Sequence, residues 1–147
     1  MLASFITVVS ALAASAAALP GAVGGRDVYA KWPAFNFQEG CSPGGCIASF
    51  NISAPAGYVA GAPAFNVACH PIYIQQGWLV CDTISEATAG SSVESMWTGA
   101  EDRDNIKISV SHLWYQGETR YNASGNIEFA PGTTAFDIPV TLLSAVL

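Results

Sequence analysis

Charge is the scarcest property of this chain. Asp, Glu, Lys and Arg make up 11% of its 147 residues, with 5 basic against 11 acidic side chains and a formal net charge of −6. Nucleic acids and anionic membranes are held by basic patches, so neither is an expected partner. Histidine is equally sparse at 2 residues, which leaves few candidates for a general base. There is no G-x-S-x-G elbow and no H-E-x-x-H or other helical metal motif. Beyond the N-terminal segment no apolar run approaches the roughly 20 residues of a bilayer span, and the closing TLLSAVL is too short for an anchor. No internal repeat is visible, and no low-complexity segment lies outside the Ala-rich opening.

What is present begins with MLASFITVVSALAASAAALPG, which carries no acidic or basic side chain. An apolar run from Leu2 to about Leu12 precedes small residues that suit signal peptidase, with Ala14-Ser15-Ala16 or Ala16-Ala17-Ala18 as the A-x-A element. The expectation is a cleaved signal peptide over 1–18 and a secreted, extracellular domain over 19–147, with no membrane contact after cleavage. That domain has about 130 residues, the usual size for one core. Two features agree with export. Asn51-Ile52-Ser53 and Asn122-Ala123-Ser124 are N-glycosylation acceptors, and all four cysteines lie after the signal.

The cysteines invite three chemistries. A metal site would need reduced thiolates, and the spacing of Cys69 and Cys81 with a single His70 matches no zinc pattern. A Cys–His nucleophile needs converging side chains, yet neighbours on a strand, such as Cys69 and His70, point to opposite faces. An oxidising compartment favours two disulfides among Cys41, Cys46, Cys69 and Cys81. Joining Cys69 to Cys81 would remove about 3 kcal/mol of unfolded-chain entropy. Cys41 would then pair with Cys46 across Ser-Pro-Gly-Gly, a sequence suited to a tight turn. The crossed pairings stay open, because spacing does not fix connectivity.

Hydrophobic period two runs through the mature chain. Ile106, Ile108, Val110 and His112 share one face of a segment whose other face is Lys107, Ser109 and Ser111, the pattern of a half-buried strand. Phe50 and Ile52 alternate with Asn51 in the same way, which leaves that acceptor accessible. ETRYNASGNIEFA reads as a hairpin turning at Ser124-Gly125-Asn126. Phe65-Val67-Cys69 and Leu79-Cys81 read as a pair flanking the staple. Val28-Ala30-Trp32, Val93-Ser95-Trp97 and Phe136-Ile138-Val140 are further strands, with Pro139 marking an edge or a bulge. Glycines at 57, 61, 77, 99, 117 and 132 punctuate the chain, and no convincing helical stripe follows the signal. The fold class expected is all-β: a compact antiparallel β-barrel or sandwich of about eight strands, disulfide-stapled.

In order, CSPGGCIASFNI, AFNVAC, GWLVC and NIKISVSHLWYQGETRYNASGNIEF resemble the Alternaria major allergen family (Alt a 1-like), small secreted fungal proteins. The likeness lies in strand order and cysteine placement, above all Phe65, Cys69, Trp78 and Cys81. It implies a compact β-barrel, no agreed enzymatic activity, and an extracellular role as an effector, elicitor or allergen-like protein meeting a plant host. The chain departs from the family pattern in two respects. It has no cysteine pair after Cys81, and Cys41, beside Cys46, is a poor candidate for the family's intersubunit link.

Candidate sites are few. Glycoside hydrolysis needs two carboxylates about a cleft, but Glu94, Glu101, Asp102, Asp104, Glu118 and Glu128 fall in turns or on polar faces. The run 101–105 lacks the glycine and terminal glutamate of a calcium loop and holds Arg103 among its acids, so it reads as a solvated turn. Tryptophan and tyrosine bury large areas, and Trp114 falls on the core parity. Trp78 and Tyr115 fall on the other parity, which makes them the candidates for ligand contact. His112, on the apolar parity, reads as a core histidine held by a hydrogen bond. The expectation is a secreted, non-enzymatic protein with no cofactor and no metal, recognising a host extracellular protein or a glycan of a cell wall. The rival readings are a binder of carbohydrate or small aromatic ligands, and a cryptic secreted hydrolase.

Overall fold

The computed structural model describes residues 26–74 and 77–147. The signal peptide expected over 1–18 and the boundary expected at residue 19 lie outside the described residues. Within them there is no helix. Nine strands follow in chain order: β1 (Ala30–Ser42), β2 (Gly45–Ala54), β3 (Phe65–Cys69), β4 (Leu79–Val80), β5 (Asp82–Ser85), β6 (Ser92–Thr98), β7 (Ile106–Gln116), β8 (Thr119–Phe129) and β9 (Phe136–Val146). Every strand pair is antiparallel, in the order β4-β6-β7-β8-β9-β1-β2-β3-β5.

The two outer strands of that order, β4 and β5, are consecutive in the chain with only Cys81 between them. One short segment therefore bonds to both ends of the sheet and makes it a nearly closed barrel. Leu79 and Val80 pair with Ser95 and Glu94 of β6, while Asp82 and Thr83 pair with Ala68 and Val67 of β3. At the division the Cys81 N–H donates to Val93 O at 2.8 Å. The Cys81 sulfur is bonded to Cys69 of β3, so a covalent staple crosses the seam. This corrects the expected pairing of Leu79 with the Phe65 strand. A closing sheet has two edges to satisfy, and the segment serves one on each side of Cys81. The second disulfide joins Cys41 to Cys46, cross-strand partners in the β1–β2 hairpin that turns at Pro43-Gly44.

Alternation places the core inside. Ile106, Ile108, Val110, His112 and Trp114 of β7 are buried, as are Phe50 and Ile52 of β2 and Val93, Ser95 and Trp97 of β6. Full burial of one large apolar side chain contributes about 1.5–3 kcal/mol. One aromatic group joins Phe37, Phe50, Phe129 and Phe136. Another gathers Trp32, Tyr58, Phe65, His112 and Trp114. Tyr58 enters it from residues 55–64, a compact set of turns tied by Gly57 N–H to Ala62 O at 2.8 Å and by Gln116 Nε2 to Gly61 O at 3.0 Å.

The second correction concerns β8. Ser124-Gly125-Asn126 is not a turn: β8 runs unbroken from Thr119 to Phe129, and the turn lies earlier, at Gly117-Glu118, where Gly117 has φ 60°. Gly125 meets a different need. A Cβ there would run into the Pro139 carbonyl of β9, so the glycine permits a close approach of two backbones. The register shifts at this point, with Ser124 opposite Leu142 and Gly125 opposite Val140, which leaves Thr141 as a bulge. Pro139 pairs with Lys31 in a strand flanked by both β1 and β8. Of the two positions expected for it, the neighbourhood of a bulge is the one found.

Candidate functional site

Of the four tryptophans, Trp32, Trp97 and Trp114 are buried, whereas Trp78 is 43% exposed. Tyr115, the other aromatic expected at the surface, is 55% exposed. The two do not share a site. Tyr115 stands near the end of β7 beside Gly90. Trp78 forms the wall of a groove of about 420 Å³, with Arg26, Ser109, Ser124, Asn126 and Thr141 around it.

The bulge shapes this groove. Ser109 is on the polar face of β7, and its cross-strand partner Asn126 and neighbour Ser124 are on the same outer face of β8. Thr141 is the unpaired bulge residue, and Leu142, 58% exposed, lies next to it. A bulge re-aims side chains and bends its strand. Gly125, without a side chain, lets β9 press in beneath. Among the described residues, the side chains of Ser109, Ser124, Asn126 and Thr141 have no hydrogen-bond partner in the protein, and Arg26 has no ion pair. One register step along β7, by contrast, Asn122 Nδ2 donates to Ser111 Oγ at 2.8 Å and that pair is satisfied.

A second, apolar cleft of about 320 Å³ lies between Val59-Ala60 and Leu143-Ala145. Its floor is Trp114 stacked on Tyr121, with ring centroids 5.6 Å apart. The acceptor Asn122 stands at its rim. The other acceptor, Asn51, is half-buried on the outer face of β2 between the two inward residues Phe50 and Ile52.

His112 occupies the barrel interior, fully buried, with Tyr58 Oη at 2.8 Å from Nδ1 and Ser91 Oγ at 2.8 Å from Nε2. The expected core histidine is thus held by two hydrogen bonds. A serine hydroxyl on an imidazole is the geometry of an activated nucleophile, but the third member here is a phenol. Among the described residues the ring bonds to Tyr58 and Ser91 and to no carboxylate that would stabilise an imidazolium. Burial pulls the His112 pKa down to about 4, far from the value that suits a base at neutral pH. Burial also pushes the Tyr58 phenol up, so it stays protonated. The Trp32 indole N–H lies close to Tyr58 without meeting hydrogen-bond geometry.

The six acids weighed for hydrolysis are scattered over β6, the 101–105 turn, the β7–β8 turn and β8. Glu128 accepts backbone N–H bonds from Asp102 at 3.1 Å and Glu101 at 3.2 Å, and a side-chain bond from Asn105 at 3.3 Å. These donors, the Asp102 N–H foremost, hold its carboxyl below the usual range. The run 101–105 is accordingly a turn capped by Glu128, and among the described residues no three His, Cys, Asp or Glu side chains are placed to hold a metal. His70, exposed on the face opposite the buried Cys69, meets Asp82 at 3.8 Å in a solvated pair. Compared with family models, curated proteins and solved structures, the chain matches none.

The sequence placed Trp78 on the outer parity, and the structure leaves it exposed, but the groove around it was not foreseen. Ser109 carried a signal, since it lay on the polar parity of β7. Ser124 and Asn126 were hidden inside the supposed turn, and Arg26 and Thr141 belong to distant parts of the chain.

Proposed function

We propose that this protein is a secreted, non-enzymatic recognition protein of the Alt a 1-like kind, which engages a component of a host or a cell wall through the groove beside Trp78. The observation that carries this reading is Trp78 itself, a large apolar side chain left 43% exposed next to polar side chains that have no hydrogen-bond partner among the described residues. Exposed aromatics flanked by free hydrogen-bonding groups are typical contact residues. The setting suits recognition as well. Antiparallel ladders join β7, β8 and β9 beneath the groove, and the Cys69–Cys81 bond closes the seam three residues beyond Trp78, so little conformational entropy is lost when a partner binds. The paired cysteines and the acceptors at Asn51 and Asn122 agree with an extracellular life.

The reading is tested by capture. Oxidised protein and its Trp78→Ala variant are immobilised and exposed to plant apoplastic fluid and solubilised wall material. A component retained by the wild type and released from the variant supports the proposal. Equal retention by both, or none above an unrelated acidic protein, contradicts it.

A further inference from the structure

We infer that the Trp78 groove takes an uncharged oligosaccharide chain. The inference rests on the recognition reading above and names the class of its ligand. The groove combines one exposed indole face with three hydroxyls and one amide, from Ser109, Ser124, Thr141 and Asn126. Each of these four side chains both donates and accepts, and none is used internally among the described residues. A ligand that satisfies them must present many hydroxyls, and one that also covers Trp78 must present an apolar face. A pyranose ring does both: its axial C–H groups stack on an indole while its equatorial hydroxyls point outward to polar partners.

Other ligand classes fit less well. An extended peptide adds to a sheet through free backbone groups. Here the groove crosses β7, β8 and β9, and Ser124 stands in ladders already made to both β7 and β9; among the described residues β9 beyond Val140 lacks a partner on its β1 side. A purely apolar ligand would leave the hydroxyls and the amide unpaired, which costs affinity. An acidic polysaccharide could meet Arg26, but that is the one cation among the described residues of the groove, and the whole chain carries −6. One exposed guanidinium matches only one of the repeated carboxylates of a polyanion, and the net charge of the chain adds no attraction for the rest. Arg26 serves a neutral chain as a fork of hydrogen-bond donors. A volume of about 420 Å³ lies within the roughly 300–1,000 Å³ of small-ligand sites.

Cellohexaose, laminarihexaose, mannohexaose and chitohexaose, with oligogalacturonate as the acidic arm, are titrated into the oxidised full domain by calorimetry and tryptophan fluorescence. At least one neutral hexaose is expected to bind and to shift the emission of Trp78. Trp78→Ala should weaken that binding by tenfold or more and Asn126→Ala by a smaller factor. Tyr115→Ala should leave it unchanged, each variant being first shown to melt like the wild type. The inference is overturned if no neutral hexaose binds, if oligogalacturonate binds more tightly, or if Trp78→Ala binds as well as the wild type. Capture from apoplastic fluid that still depends on Trp78 in the absence of hexaose binding would reject the sugar and keep the recognition reading. Loss of both would reject the two together.

Discussion

Gly125 of β8 lies directly against the carbonyl of Pro139 in β9, with no room between them for a Cβ. The contact sits at the step in register that frees Thr141, and so fixes the shape of the groove beside Trp78. Gly125→Ala should overpack this site and cost about 1–3 kcal/mol. Thermal melting would show a Tm lower by several degrees. Trp78→Ala, a change at the surface, should stay within about 0.5 kcal/mol of the wild type.

Acid should weaken the fold through His112. The group binds protons less readily when folded, at about 4, than at its ordinary 6.5. Between those values the unfolded chain holds more protons, so stability is full above pH 6.5 and declines as the pH falls towards 4. The loss over this window approaches about 3 kcal/mol. Denaturant titrations at stepped pH should show the slope, and His112→Asn should flatten it. Glu128 acts in the same direction at lower pH, since its depressed pKa makes its contribution disappear as the carboxylate protonates.

The two disulfides should differ in weight. Replacing Cys69 and Cys81 together by alanine should cost about 3 kcal/mol, and the Cys41–Cys46 pair about 2, because the shorter loop restricts the unfolded chain less. The first change should also loosen β4 and β5, seen as faster amide exchange at Val80 to Ser85, since it opens the seam. Chymotryptic mapping without reduction should join the fragment carrying Cys69 to that carrying Cys81. Fragments joining 46 to 69 would contradict the fold.

One tryptophan should dominate quenching. Iodide in solution should reach Trp78 and spare the buried Trp32, Trp97 and Trp114. Trp78→Phe should therefore remove most of the quenchable emission while leaving the melting curve in place. Quenching that survives the substitution would place another indole at the surface.

The barrel was legible where one strand face meets water and the other the core. Ile106, Ile108, Val110 and His112 turn inward while Lys107 and Ser109 stay half-exposed, because solvent and interior ask for opposite side chains; Ser111, on the outer parity, is the exception, buried where Asn122 donates to it. Gly125 was misread because flexible turns and close backbone contacts ask for the same residue, and only the presence of β9 distinguishes them. The division of the strand at Cys81 was hidden too: two paired residues before it and four after it are too few to show a period. Tyr58, in a stretch rich in Gly, Pro and Ala, gave no hint that its ring would reach His112 across 54 positions. The groove itself joins residues 26, 78, 109, 124, 126 and 141, a set that only the folded sheet brings together.

The central claim, that recognition passes through Trp78, is tested most directly by oxidative footprinting of the protein free and bound to isolated cell walls. Trp78 and Tyr115 are both well exposed, 43% and 55%, so each serves as a reference for the other. Binding should shield Trp78 by severalfold and leave Tyr115 as reactive as before. Shielding of Tyr115 with Trp78 still open to oxidation would contradict the account.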